Sequence, residues 1–288
     1  MRKIKSGVYG LNAIMDGGVN ANSTTVVIGC SGAGKTTFAT QFIRRGLEEG
    51  QEGVFVSLDE NREQIIKEAI EMGWTDILEH VKNKSLVFID ASGKDFSTFI
   101  KKELPSFVKR WEGADARIAI DPLTPVVWSL RDRYEQRDVI GFMLKEMRKI
   151  GTVVATLEEH GKGDLSGPEV VIPMYLADNV IHLNYRATED SNRYLKIVKA
   201  RSTRHSDIYH KYVIVGGLGV VVDTEPYKPS KSRKAAQEIA RELAKHGSEI
   251  PGSAYAKIRS SLKNMRDDDL RGIAKEDIVR LILEEYGE

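Results

Sequence analysis

Thr24-Thr25-Val26-Val27-Ile28-Gly29-Cys30-Ser31-Gly32-Ala33-Gly34-Lys35-Thr36-Thr37 decides the fold. Thr24–Ile28 is β-branched throughout and reads as a short strand covered on both faces. Gly29 to Thr36 then follows the spacing GxxxxGK[ST]. Ala39, Phe42, Ile43 and Leu47 make one stripe of a helix after it. Strand, loop and helix together are the context that gives this spacing its chemical meaning. The glycines let the backbone curl so that successive N–H groups face inward, and the helix N-terminus adds partial positive charge. Such a loop, here Ser31, Gly32, Ala33, Gly34, Lys35, Thr36 and Thr37, cradles phosphates. Lys35 would reach the β- and γ-phosphates of ATP, and the Thr36 hydroxyl would ligate Mg²⁺. Cys30 reads as a small residue that fits a tight turn.

Outward from this loop, short apolar runs alternate with helical stretches. Gly53–Leu58, Ser85–Ile89, Arg117–Ile120 and Thr152–Leu157 read as strands. Asn61–Met72, Ser97–Trp111 and Asp138–Ile150 read as helices. That alternation predicts an α/β fold with a mostly parallel, helix-flanked sheet. Val180–Leu183, Tyr194–Lys199, Tyr212–Val215 and Val220–Val222 follow without intervening helices, the last two joined by a turn at Gly216–Gly219. They predict an antiparallel extension at one edge. The segment 226–234 carries two prolines and several basic residues and reads as a linker. Beyond it, over 235–288, three apolar stripes predict a small helical appendage: Ala236, Ile239, Ala240 and Leu243; then Tyr255, Ile258, Leu262 and Met265; then Lys275–Tyr286. The main domain is read as 1–225.

Composition narrows the function. The chain has 288 residues, 41% apolar, enough for a sizeable core. Its 43 basic and 42 acidic residues leave a net charge of +1, which excludes a strongly basic nucleic-acid coat. One cysteine excludes a disulfide framework and an all-cysteine zinc site. No apolar segment follows Met1-Arg2-Lys3, and no apolar run approaches the ~18 residues of a membrane span. The expectation is a soluble, cytoplasmic protein with no membrane partner.

A phosphate-binding loop needs an acid for the metal. Asp90 and Asp121 both end strands. Pro122-Leu123-Thr124 would stop the second strand at its carboxyl end, where ligands collect in open α/β sheets, and this favours Asp121. Hydrolysis also needs a group that orients or deprotonates water. Asp59 and Glu60 close the strand Gly53–Leu58, which is expected to lie beside the loop strand. They are also candidates for a helix start, with Asp59 or Asn61 as cap and Glu60 in the first turn. Leu157-Glu158-Glu159-His160 is a second polar cluster at a strand end.

In their order, these motifs resemble the KaiC-like branch of the RecA superfamily of ATPases. The resemblance covers about residues 4–225. It begins with Ser6-Gly7-Val8-Tyr9-Gly10-Leu11-Asn12 and Gly17-Gly18-Val19, and continues through the loop, Gly53–Glu60, Asp90-Ala91-Ser92 and Ile120–Thr124. It ends with Ala177–Leu183 and Lys199-Ala200-Arg201-Ser202-Thr203-Arg204-His205-Ser206. The chain resembles the archaeal single-domain type, some members of which resemble recombinase paralogues. The family's clock proteins carry two tandem ATPase domains, so one domain does not support a circadian role.

The resemblance implies that Asp121 is the metal-binding acid and that Glu60, with Asp59, activates water. Asp59 departs from the family's usual glutamate, and Ser202 stands where the family commonly has glycine. Lys199, Arg201, Thr203 and His205 match positions that reach from one subunit to the nucleotide of the next. As residues i and i+2 of a strand, Lys199 and Arg201 are expected to aim together. The implied protein is a ring-forming regulatory ATPase, a hexamer of identical chains using ATP and Mg²⁺. The alternative is a DNA-associated, RadA-like recombinase paralogue. For that, Arg131, Arg133 and Arg137 in Ser129–Arg137 and Lys162 in Glu159–Glu169 would face DNA, although Asp132, Glu135 and Asp138 interleave with the arginines. A lower alternative is autophosphorylation on serine or threonine, for which the sequence selects no hydroxyl.

Overall fold

The chain opens with a small antiparallel pair, β1 (Lys3–Ile4) and β2 (Val19–Asn20), enclosing the short helix α1 (Leu11–Ile14). The phosphate-loop strand β3 (Thr24–Gly29) and helix α2 (Lys35–Glu48) follow. Next come β4 (Gly53–Ser57), α3 (Arg62–Glu71), α4 (Ile77–Lys82) and β5 (Leu86–Asp90). A π-helical turn, Phe99–Glu103, leads into α5 (Leu104–Trp111). Then come β6 (Ala116–Asp121), α6 (Thr124–Ser129), α7 (Arg133–Ile150), β7 (Gly151–Glu158) and α8 (Pro168–Leu176). The strands β8 (Asn179–Arg186), β9 (Asn192–Ala200), β10 (Tyr209–Val215) and β11 (Gly219–Val222) complete the first unit. This computed structural model describes residues 1–91, 96, 99–130, 132–159, 165–186, 192–225, 234–247, 249–264 and 275–286. The described residues up to Glu225 make one compact unit and those from Lys234 onward a second.

Nine strands form one sheet in the order β11-β10-β9-β8-β3-β7-β6-β4-β5. The run from β8 to β5 is parallel; β9, β10 and β11 are antiparallel to their neighbours. This confirms the α/β expectation and corrects two of its details. Val180–Leu183 lies in β8, which pairs parallel with β3, so the antiparallel extension starts one strand later. β4 does not lie beside the loop strand, because β7 and β6 stand between them. β4 reads like its neighbours, so its apolar run holds no signal for its place in the sheet.

Each face of the sheet is covered by its own layer. Phe38, Phe42 and Ile43 of α2 and Ile65 of α3 pack with Val27, Phe55, Val154 and Ile181 on one side. On the other, Leu104 of α5 and Ile140, Met143 and Met147 of α7 pack with Val26, Ile28, Val56 and Ile118. Central strands buried on both faces are the reason for their unbroken β-branched runs. Gln41, buried in α2, donates to the carbonyls of Gly7, Leu218 and Val220 and accepts from Val220 N, fixing α2 to the antiparallel edge. Arg117 is fully buried over the Phe42 ring and paired with Glu49 at 2.6 Å. Burial brings its guanidinium down to about 10, against the pull of Glu49, so it stays charged at neutral pH.

Helix starts explain further differences. Asn61, not Asp59, caps α3, accepting from Gln64 N at 2.9 Å, so Glu60 lies before the helix rather than in its first turn. Asp132 caps α7 by accepting from Tyr134 N and Glu135 N, which puts Arg133 and Arg137 on a helix rather than in a loop. Arg131, Ser97 and Ser92 lie outside the described residues, as do His160, Lys162 and most of 226–234. α8 takes up the end of the expected Glu159–Glu169 loop.

The second unit comprises α9 (Lys234–Lys245), α10 (Gly252–Asn264) and α11 (Lys275–Tyr286). Ala236, Ile239, Leu243, Ile250, Leu262 and Val279 are buried together, so the three stripes cover one another. Met265 lies outside the described residues.

Candidate functional site

The carboxyl ends of β3, β7, β6 and β4 converge on the loop. Gly32 and Gly34 hold φ of +76° and +91°, the left-handed backbone that curls the loop. A Cβ on Gly29 would lie 2.6 Å from the Leu183 carbonyl oxygen, so only glycine lets the loop leave the sheet here. Lys35 is buried, with Nζ 3.0 Å from the Cys30 carbonyl oxygen and 3.9 Å from Glu158 Oε1. Tyr212 donates to the Ala33 carbonyl at 2.7 Å, bracing the loop from β10.

Asp121 ends β6, buried, and accepts from the Thr156 hydroxyl of β7. Burial pushes its carboxyl up; hydrogen bonds from Thr156 and Thr36 and the charge of Lys35 pull it back. Asp121 and Thr36 are therefore brought together as expected. Asp90 ends the outer strand β5, in register with Ser57 as Asp121 is on the other side, and so stands further from the loop. Asp59 and Glu60 follow β4 and are exposed. Partial desolvation first, then the carboxylates of Glu68, Asp121 and Asp59, raise the pKa of Glu60. A carboxylate with a raised pKa is a better proton acceptor near neutrality.

The 199–205 segment lies elsewhere. Gly29, at the root of the loop, pairs with Leu183, whereas Ala200 pairs with Asn179 and Asn179 with Thr25. Arg201 is thus at the amino end of β3, about 13 Å or more along the strand from Gly29 at ~3.3 Å per residue. β9 stops at Ala200, so Arg201 belongs to a turn and strand alternation does not govern it. Within its own chain, Lys199 Nζ donates to the carbonyls of Met174, Tyr175 and Ala177, at the C-terminus of α8. Burial lowers its pKa, with Arg201 adding to the effect and Asp178 opposing it. Thr203 Oγ1 accepts from Lys3 and Asn20, and His205 Nδ1 lies 2.9 Å from the Ser206 carbonyl oxygen. The Arg201 guanidinium is exposed and has no hydrogen-bond partner among the described residues. Ser202 keeps φ at +55°, so a serine adopts the conformation a glycine would take freely.

Two features escaped the sequence reading, Arg193 and a cleft, and a third, the Glu158–Lys35 pair, was expected only in that Glu158 belongs to a polar cluster at a strand end. Arg193 stacks over Tyr185 at 4.2 Å and donates to the Gly32 carbonyl at 3.3 Å, putting a cation beside the loop. Only the β8–β9 register, which opposes Tyr185 to Arg193, places it there. Glu158 meets Lys35 because β7 borders β3 directly. A cleft of about 370 Å³ opens at the start of α2, lined by Thr36, Thr37, Thr40, Met72, Trp74 and Ile214.

Strand order, phosphate loop and strand-end acid define a P-loop ATPase of RecA type. The family model "ATPase: KaiC" matches residues 4–227, and the chain belongs to that family. A KaiC-like protein from Pyrococcus horikoshii OT3 is similar in structure, with a TM-score of 0.65 and 32% identity over 77% of this chain and 99% of that one. The circadian clock protein KaiC3 of Synechocystis is 29% identical over 77% of this chain and 46% of its own length. The circadian clock oscillator protein KaiC of Synechococcus elongatus is 32% identical over 70% of this chain and 41% of its own. The chain thus spans under half the length of these curated relatives. Among the described residues, no helix is long and apolar enough to cross a membrane.

Proposed function

We propose that this chain hydrolyses ATP at sites shared between neighbouring copies in a ring. The observation that carries this reading is the separation of the loop and Arg201 at opposite ends of β3. One chain holds a phosphate loop, a metal acid and a water-activating carboxylate, while its exposed arginine stands at the other end of β3. A head-to-tail contact would bring that cation, and a heterologous contact closes into a ring where the rotation between copies closes, here a hexamer as the resemblance implies.

The loop N–H groups, Lys35 and Arg193 hold the phosphates. The cleft beside Thr36 and Thr37 takes the adenosine end, with Met72, Trp74 and Ile214 as its apolar wall. Thr36 and Asp121 offer a hydroxyl and a carboxylate, the hard oxygen donors that suit Mg²⁺. The buried Asp121 charge, only partly offset by its neighbours, fits a divalent cation. Mg²⁺ bound there would offset charge on the β- and γ-phosphates. Glu60, with Asp59 beside it, orients a water and accepts its proton. Arg201 of the neighbour stabilises charge developing on the γ-phosphate, an effect worth about 10³–10⁵ in rate in phosphoryl-transfer systems. His205 of that neighbour, whose Nδ1 lies on the Ser206 carbonyl, would give a hydrogen bond from Nε2 to a phosphate as the doubly protonated ring.

Hydrolysis per subunit, measured against protein concentration, tests the reading. It should rise through the assembly threshold, in step with ring mass by light scattering. A rate per subunit that stays constant down to dissociated chains contradicts a shared site.

A further inference from the structure

The turn that carries Arg201 is held by residues from the start of the chain. β1 and β2 place Lys3 directly opposite Asn20, so the two side chains leave one face of the ladder. Both converge on Thr203. Lys3 Nζ donates to its Oγ1 at 2.8 Å and Asn20 Nδ2 at 3.2 Å. Asn20 Nδ2 also lies 3.3 Å from the carbonyl oxygen of Arg201 itself. Lys3 Nζ is fixed in turn on the Gly18 carbonyl at 3.1 Å. The main chain adds two anchors, Arg201 N to the Asp178 carbonyl and Ser206 N to that of Ile14, each at 2.9 Å.

Between the residues so gripped, Ser202 sits at φ +55°. A serine keeps that backbone only where its surroundings over-determine it. Asn20 itself is buried, 5% exposed, and its Oδ1 has no partner among the described residues, so its amide acts through Nδ2 alone. The charged end of Arg201 is left free while its main chain is pinned.

We propose that Asn20, seconded by Lys3, is a positioning residue for Arg201, holding the 201–203 turn so that the guanidinium meets the neighbouring copy's nucleotide. This rests on the shared-site reading above. Asn20 stands at the end of a two-residue strand, 181 residues in sequence from the arginine it holds. Its effect is on the geometry of a group acting in another subunit. A misplacement of ~1 Å at such a group costs on the order of 10²-fold in rate.

The test uses Asn20→Leu, with Asn20→Ala removing the same donor at smaller volume should the first fold poorly. Each should bind ATP as the unaltered protein does, form rings, and lose about 10- to 100-fold in kcat. The decisive readout is complementation in mixed rings. Mixed with Glu60→Gln, which supplies an intact turn, Asn20→Leu should recover activity. Mixed with Arg201→Ala, it should not, since both chains then bring a faulty arginine. Recovery with Arg201→Ala and none with Glu60→Gln would assign Asn20 to its own chain's nucleotide half and overturn the proposal, as would an unchanged kcat. Glu60→Gln mixed with Arg201→Ala is the control. If that pair stays inactive in proven mixed rings, the shared site itself fails and the positioning role with it.

Discussion

Lys35 Nζ lies 3.9 Å from Glu158 Oε1, so the lysine of the phosphate loop already faces a carboxylate on the adjacent strand. ATP must draw Lys35 from that partner and bring its own negative charge towards Glu158. Glu158→Gln should therefore tighten nucleotide binding. The pair is part-exposed, and a contribution of about 0.2–1 kcal/mol corresponds to roughly 1.5- to 5-fold in Kd. Titration with a fluorescent ATP analogue measures it; weaker binding would show that Glu158 supports the occupied site instead.

Glu60→Gln should keep ATP affinity and lose about 10²–10⁴ in kcat, the usual worth of a positioned general base. The raised pKa of Glu60 adds a pH prediction. Glu60 must be ionised to accept a proton, so kcat should fall on acidification at a pH above the 4.5 of an ordinary glutamate. Glu68→Gln removes one repelling carboxylate and should move that acid limb to lower pH. A limb that stays in place or moves upward would separate Glu60 from the titration.

Asp121 has opposite effects on stability and function. Its carboxyl is raised by burial, so in the nucleotide-free fold ionisation costs stability. The sign follows from proton linkage: between the unfolded and folded pKa values the folded state binds more protons, so stability falls as pH rises through that window. Asp121→Asn should raise the Tm of the nucleotide-free protein at neutral pH and abolish Mg²⁺-dependent ATP binding. A lowered Tm would show that the ionised carboxylate is held favourably by Thr156 and Thr36.

Ser202 at φ +55° predicts an order of stability. Ser202→Gly should be neutral or gain up to about 1 kcal/mol, since strain is relieved while the unfolded chain gains freedom. Ser202→Val should lose about 1–3 kcal/mol, because a β-branched residue is a true outlier there. Chemical denaturation midpoints give the order; a valine variant as stable as the serine one would show that the turn has relaxed.

The phosphate loop, the strand end at Asp121 and the alternation of strands and helices were legible because each is local: spacing, apolar period and turn chemistry suffice. What was not legible depends on partners distant in sequence. Strand type at β8 and the distance of β4 from β3 are set by sheet order, which an apolar run does not encode. Arg193 became part of the site only through its register with Tyr185. The resemblance matches Lys199, like Arg201, to a position that reaches the neighbouring nucleotide, and says nothing of its contacts within its own chain. α8, which offers the carbonyls that bind it, had no clear periodic signal, with Pro168 and Pro173 in nine residues. Asn20 carried no signal at all, since its two contacts lie 181 and 183 residues away.

The account stands on a site divided between two chains, and mixing tests that most directly. Glu60→Gln rings and Arg201→Ala rings should each be nearly inactive. Dissociated, combined and reassembled, they should regain part of the unaltered ATPase rate, because some interfaces receive Glu60 from one chain and Arg201 from the other. A mixture that remains inactive while mass spectrometry shows mixed rings would contradict the account.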